Sequence, residues 1–299
     1  MPIEIRNLNK IYKNGHQALT DVNLTIDEGM FGLLGPNGAG KSSLMRILVT
    51  LADPSSGTVK VNGYDLKRNK GEIRTMLGYL PQDFRYFAKL KAWEFLDYSA
   101  SLSGMKNRRA RREAVDEQLR SVGLFDVRDR LANKLSGGMK RRLGIAQALI
   151  GDPRVVIVDE PTTGLDPDER IRFRNLLTNL SRKEVVIILS THIVGDISSS
   201  CKDMALLNLG QVRYKGSPKG FLDLAKGSVW RMKVAYDDLD KVKNEMHVIA
   251  TIPDEDCWLV EVVAEDLGNF KGEAIEPNLE HAYVYFTEFG MRDGVIAGV

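Results

Sequence analysis

The residues best suited to chemistry begin with Gly35-Pro36-Asn37-Gly38-Ala39-Gly40-Lys41-Ser42, followed by Ser43. Glycines at the first and sixth positions, then Lys and Ser, give the spacing GxxxxGK[ST] of a phosphate cradle. Glycines let successive backbone N–H groups curl around phosphate oxygens without a Cβ in the way. Lys41 can reach terminal phosphates, and the Ser42 hydroxyl is placed to ligate Mg²⁺. By itself this loop implies a nucleoside triphosphate without choosing among ATPase, GTPase or kinase. A second group is Asp159-Glu160, at the end of Val155-Val156-Ile157-Val158. An acid there can hold Mg²⁺ directly or through water, and its neighbour can polarise a hydrolytic water. A third is Ser190-Thr191-His192, after another apolar run, where an imidazole can donate a hydrogen bond to a γ-phosphate oxygen. The other histidines, His16, His247 and His281, have no metal-ligand spacing, and no chemistry is assigned to them.

The flanking sequence supplies elements to position these groups. MFGLL at 30–34 reads as a short buried strand entering the glycine loop, and LMRIL at 44–48 resumes with helical spacing. VVIV at 155–158 and VVIIL at 185–189 are continuous apolar runs, the pattern of parallel strands buried on both faces. Their polar residues fall at the C-terminal ends, where open α/β sheets bind ligands. Before the loop, IEIRNLNKIY and DVNLTI alternate apolar and polar residues, as strands do. TVKVNG at 58–63 and MLGYLPQ at 76–82 read as further strands.

Composition narrows the class. The chain has 299 residues, 43% apolar, with 27 Gly and 10 Pro, which suits a cored globular protein of about two domains and not a collagen-like or low-complexity one. Two cysteines, Cys201 and Cys257, form at most one disulfide, so a disulfide-stapled scaffold is excluded. We expect no signal peptide and no membrane span. The net charge of +2 conceals an asymmetry: residues 221–299 carry 7 Lys/Arg against 16 Asp/Glu, and residues 1–220 carry 35 against 24. A boundary near 220 follows, with KGSPKG at 215–220 as the joint. The basic run Lys106, Arg108, Arg109, Arg111, Arg112 reads as the solvated face of a helix whose buried stripe is Ala110, Ala114, Val115 and Leu119.

Taken together, these motifs resemble the nucleotide-binding subunits of ABC transporters. LSGGM at 135–139 is similar to the family signature LSGGQ, with Met139 where glutamine is usual. Gln82 matches the Q-loop glutamine, Glu160 the catalytic glutamate, Asp166 the D-loop aspartate, His192 the switch histidine and Tyr12 the aromatic residue that stacks on adenine. The resemblance covers residues 1–220. It implies an α/β fold: a P-loop NTPase core with an N-terminal antiparallel β subdomain and a helical subdomain inserted at about 84–148. It also implies ATP and Mg²⁺, with Ser42, Asp159 and Gln82 on the metal side and Glu160, His192 and Gln82 in catalysis. Two heads would pack head to tail, so that Ser136, Gly137 and Gly138 of one meet the ATP on the phosphate loop of the other. The chain carries one set of motifs, which implies a homodimer or a related partner head. Met139 is expected to tune rather than abolish function, since the Ser and Gly residues supply the phosphate contacts.

WEFLDYSASLSG at 93–104, GMKRRLGIAQAL at 138–149, PTTGLDP at 161–167 and the short acidic tail resemble the ATPase subunits of bacterial ABC-2-type exporters. That implies a peripheral position on the cytoplasmic side of the membrane, beside separate membrane-spanning permease subunits. Phe84, Tyr86, Phe87, Leu90 and Trp93, just after Gln82, lie where such heads grip a cytoplasmic helix of the permease; core packing is the competing reading. Residues 221–299 read as a small α+β domain: strands at 229–234 and 257–263, a turn at Pro253-Asp254, and a closing helix at 278–290 with Leu279, Ala282, Tyr283 and Phe286 inward. Two other functions compete. A soluble ABC ATPase of translation or repair would use the basic segment, but such relatives carry paired heads or a long coiled-coil insertion. A noncatalytic module is disfavoured by the intact Lys41, Asp159, Glu160 and His192. No direct nucleic-acid partner is expected.

Overall fold

The computed structural model describes residues 2–182 and 184–290. In chain order its elements are β1 (Ile3–Ile11), β2 (Gln17–Ile26), β3 (Gly29–Leu34), α1 (Lys41–Leu48), β4 (Ser56–Val61), β5 (Tyr64–Asp65), α2 (Lys70–Met76), β6 (Leu77–Leu80), α3 (Ala92–Leu102), α4 (Arg108–Ser121), α5 (Gly137–Leu149), β7 (Val155–Asp159), α6 (Pro167–Leu180) and β8 (Val186–Thr191). They continue with α7 (Val194–Ser198), β9 (Asp203–Asn208), β10 (Gln211–Gly216), α8 (Pro218–Asp223), β11 (Val229–Val234), α9 (Leu239–Glu245), β12 (His247–Asp254), β13 (Cys257–Val263), β14 (Glu273–Ala274) and α10 (Leu279–Tyr285). Among the described residues no helix is long and apolar enough to cross a membrane.

Two compact units result. The first holds residues 1–192 and 200–212, the second 193–199 and 213–299. The joint read at 215–220 therefore falls inside the second unit. The physical reason is aromatic: Phe221 of α8 packs on Tyr214 and Phe286 at ring-centroid distances of 4.7 and 5.5 Å.

In the first unit, an antiparallel sheet of order β2-β1-β4-β5 accompanies a sheet whose strands β9, β3, β8, β7 and β6 run parallel. The apolar runs of β7 and β8 have a simple cause. Val155, Ile157, Val186 and Ile188 enter a core with α1 and the antiparallel sheet, while Val156, Val158, Ile187 and Leu189 enter a second core with α3, α5 and α6. Both faces are covered, so alternation disappears. Each such side chain contributes about 1.5–3 kcal/mol of burial, enough to fix these strands and hence the polar residues at their tips. Between β6 and β7 the chain is helical (α3, α4, α5).

On α4 the buried stripe is narrower than the spacing suggests: Val115 and Leu119 are buried, Ala114 is half-buried and Ala110 is exposed. Its cations are partly committed. Arg111 donates to Asp97 at 2.8 Å, and Arg112 lies over the Trp93 ring at 4.8 Å from its centroid.

The second unit builds an antiparallel sheet of order β12-β13-β11-β14 over a core of Met232, Val234, Val242, Val260, Val262 and Leu267. The turn expected at Pro253-Asp254 comes two residues later. Pro253 and Asp254 pair with Trp258 and Cys257, and Glu255-Asp256 form the turn. β12 is an edge strand, so the missing N–H of Pro253 leaves no ladder bond unmade. The closing helix runs Leu279–Tyr285 and continues in a looser turn through Gly290. Leu279, Ala282 and Phe286 are buried as expected, and so is His281, which meets Glu261 at 3.2 Å.

Candidate functional site

β3 ends at Leu34 and α1 begins at Lys41, so the glycine loop bridges a buried strand and a helix N-terminus. Two glycines there are dictated by geometry. Gly40 has φ of 104°, and a Cβ on it would meet the Ala18 carbonyl oxygen at 2.4 Å; a Cβ on Gly35 would meet that of Leu207 at 2.3 Å. The loop thus holds a tight conformation that leaves a cavity of about 380 Å³, lined by Pro36 through Ser43 together with His16, Ala18, Gln82 and Glu160.

At this cavity sits a buried lysine. Lys41 Nζ donates to the carbonyl oxygens of Gly35 and Pro36 at 2.7 and 3.1 Å and pairs with Glu160 Oε1 at 3.3 Å. Glu160 is buried just past the end of β7, with φ of 45°, and its N–H bonds the Ser190 carbonyl at 2.9 Å. Its Oε2 lies 2.9 Å from His192 Nδ1 and accepts from Thr163 at 3.3 Å. Both oxygens of this carboxylate are therefore engaged, and Lys41 from the start of α1 meets Glu160 and His192 from the ends of β7 and β8.

Asp159 is buried beside them, and its Oδ1 has no hydrogen-bond partner among the described residues; nor has the Ser190 hydroxyl. Burial pushes the Asp159 carboxyl up from its ordinary value, and Glu160 adds to this; the nearby Ser190 hydroxyl, Lys41 and Ser42 pull it back. A buried carboxylate oxygen left unpartnered costs stability unless something binds it. A divalent cation that keeps several waters and needs only one or two protein oxygens fits this donor set.

The remaining predicted residues divide. Tyr12 lies at the turn after β1, with its hydroxyl 3.0 Å from Ser43 Oγ. Ser136 caps α5 by accepting the Met139 N–H at 3.2 Å, and Asp166 caps α6 by accepting that of Glu169 at 2.8 Å. Neither these two nor Gly137 and Gly138 line the loop cavity. A bidentate pair from Arg142 to Glu169, both bonds 3.2 Å, fixes α5 to α6, and a Cβ on Gly138 would approach the Glu169 carboxylate at 2.5 Å.

Sequence reading missed two residues. His16 lines the cavity, its ring stacked within 10° of Tyr12, because the turn bond from Tyr12 N–H to the His16 carbonyl folds 12–16 back. Arg141 is half-buried, and its guanidinium donates to the carbonyls of Pro81, Gln82, Glu160 and Pro161. Burial lowers its pKa from the ordinary value, while Asp159, Asp83 and Glu160 oppose that.

The aromatic segment after Gln82 is only partly a surface. Phe84, Tyr86, Leu90 and Trp93 pack on the helical core, whereas Phe87 is 56% exposed. Phe87 stands edge-on to the exposed Tyr98 at 5.5 Å. With Tyr79, Arg85 and Leu102 they line a groove of about 880 Å³.

Fold and site together define a P-loop nucleoside triphosphatase. Residues 19–163 match the family described as ABC transporter. Over 233 residues the chain is 34% identical to an uncharacterized ABC transporter ATP-binding protein, YxlF of Bacillus subtilis, covering 78% of this chain and 76% of that one. It is 37% identical over 216 residues to the probable multidrug ABC transporter ATP-binding protein YbhF of Escherichia coli, spanning 72% of this chain and 37% of that longer protein. Among solved structures, a dimeric ATP-binding cassette in a post-hydrolysis state, bound to ADP and Pi, aligns with a TM-score of 0.66 at 27% identity, over 72% of this chain and 98% of that one. The chain belongs to the ATP-binding proteins of ABC transporters.

Proposed function

We propose that the chain binds and hydrolyses ATP as one half of a dimeric head, driving export through separate membrane-spanning subunits from the cytoplasmic face of the membrane. The observation that carries this reading is the buried Glu160 carboxylate between Lys41 and His192 at the phosphate-loop cavity.

In this reading the N–H groups of Asn37 to Ser43 and the N-terminus of α1 cradle the triphosphate, and Tyr12 with His16 flanks the base. Mg²⁺, when bound, neutralises phosphate charge; Ser42, Asp159 and Gln82 would hold it. ATP draws Lys41 to its β- and γ-phosphates and so frees Glu160. Glu160 accepts a proton from a water as the water oxygen bonds to γ-phosphorus, and the bond to the bridging oxygen breaks to leave ADP. His192 donates to a γ-phosphate oxygen. The N-terminus of α5, with Ser136 and Gly137 exposed and Gly138 buried behind them, serves the cavity of a second copy, and Asp166 faces the same seam. Their absence from the lining of their own cavity and the dimeric ADP-bound cassette among the similar structures support this arrangement.

The groove of Phe87, Tyr98 and Leu102 receives a helix of the permease. Export, in the manner of ABC-2-type systems, is favoured by the multidrug relative. The engagement of Arg111 with Asp97 and of Arg112 with Trp93 argues for a solvated face over a nucleic-acid surface. Phosphate release from ATP by purified protein, with Mg²⁺ and with excess chelator, tests the reading. Turnover that requires the metal is expected, and absence of turnover would overturn it.

A further inference from the structure

Arg141 lies in the first turns of α5, in the basic cluster Lys140-Arg141-Arg142 that follows LSGGM. A guanidinium offers five N–H donors in a rigid planar fork, and here four bonds from it end on four main-chain carbonyls. Nε donates to Pro161 at 3.1 Å, Nη1 to Pro81 at 3.1 Å and to Gln82 at 2.7 Å, and Nη2 to Glu160 at 3.1 Å. Two acceptors belong to the segment leaving β6 and two to the turn leaving β7.

The β6–β7 ladder pairs the two strands as far as Leu80 and Val158, just before these segments. Pro81 and Pro161 lack N–H groups, and both dipeptides lie beyond their strands. Glu160 has a left-handed backbone, φ 45°, which a non-glycine residue adopts only under restraint. That restraint comes from its N–H on Ser190 and its carbonyl under Arg141. One turn further along α5, Gly144 lies so close to the β6 segment that a Cβ would meet Leu80 at 2.6 Å and Phe84 at 3.0 Å. The same face of α5 thus seats the Gln82 segment and grips it through Arg141.

We infer that Arg141 is a positioning residue that ties the Gln82 segment to the Glu160 turn, so that a displacement of one, on nucleotide or permease binding, moves the other. Arg141 does not line the phosphate-loop cavity; it sets where the Glu160 carboxylate stands. The inference rests on the proposed role of Glu160 and adds a mechanical link to it. A side chain that merely stabilised the fold would lower melting temperature and leave kcat per folded molecule alone.

The test uses the full chain and four variants: Arg141→Met, Arg141→Lys, Gln82→Ala and the double Gln82→Ala/Arg141→Met, with ATP affinity, kcat and KM measured for each. Arg141→Met should lower kcat at least tenfold while the ATP dissociation constant stays within threefold of wild type. Arg141→Lys, which keeps the charge and some of the donors, should retain at least three times the kcat of the Met variant. Because the two sites act through one link, the double variant should lose no more than the worse single one, not the product of both. Arg141→Met within twofold of wild-type kcat, equal loss in Lys and Met variants, or multiplicative loss in the double would overturn the inference. Should the Met variant fail to fold, Arg141→Lys and Gln82→Ala/Arg141→Lys carry the same comparison. Wild type without any ATP turnover would instead defeat the proposed function on which the link rests.

Discussion

Replacing Glu160 with Gln should do two things of opposite sense: nearly stop hydrolysis and tighten ATP binding. Glutamine keeps the shape of the side chain and one acceptor oxygen, but it cannot take a proton from water. Loss of a positioned base costs roughly 10²–10⁴-fold in kcat. The binding effect comes from the nucleotide-free geometry. Lys41 Nζ stands 3.3 Å from Glu160 Oε1, and both side chains are almost fully buried. At an effective dielectric of about 20, that separation gives a Coulomb attraction of about 5 kcal/mol as an upper bound. Most of it is offset by the desolvation of the pair, as for other buried ion pairs. ATP must take Lys41 from this partner and lies beside the same negative charge. Removing the charge while keeping an amide oxygen for Lys41 should tighten binding about 3–10-fold, or ~0.7–1.4 kcal/mol. Equilibrium titration with labelled ATP and steady-state phosphate release measure the two quantities separately. A kcat within tenfold of wild type would remove Glu160 from the role of base. Weakened ATP binding would refute the competition for Lys41.

Lys41→Ala should abolish measurable ATP binding by the same titration, because Lys41 is the only Lys or Arg lining the loop cavity among the described residues. Replacing Phe87 and Tyr98 with Ser should weaken co-purification with the permease while sparing phosphate release by the isolated head, since both are exposed rim residues; Phe84→Ser, by contrast, should lower the melting temperature through the core it packs against. Asp159→Asn should raise the melting temperature of the nucleotide-free protein at neutral pH. The raised carboxyl binds its proton more tightly folded than unfolded, so its charge costs stability above the folded pKa, and the cost disappears below the unfolded value of 3.8. The advantage of the variant should therefore shrink as pH falls toward that value, as thermal melts across a pH series would show.

Much of this site was legible because its strands are buried on both sides. VVIV and VVIIL admit few readings other than central parallel strands, and their polar termini followed at once. The glycine loop was legible because Gly35 and Gly40 answer local steric demands. What the sequence hid depends on main-chain atoms and on closure in three dimensions. Arg141 recognises carbonyls, which every residue has, so no pattern of side chains points to it. His16 reaches the cavity through a five-residue turn whose bond is between backbone groups. The alanines of the basic helix suggested a stripe broader than the one formed, since Val115 and Leu119 alone bring that face to the core. Pro253 was read as turn chemistry, but on an edge strand a proline costs the ladder nothing.

In the proposed function the loop cavity is half of a site, completed by the α5 N-terminus of a second copy. Light scattering coupled to size exclusion, applied to Glu160→Gln with and without Mg-ATP, tests it most directly. The mass should double on adding Mg-ATP and return to the monomer value when Ser136→Arg is introduced, because the larger side chain crowds the opposing γ-phosphate. A monomer mass at saturating Mg-ATP, or a dimer indifferent to Ser136→Arg, would contradict it.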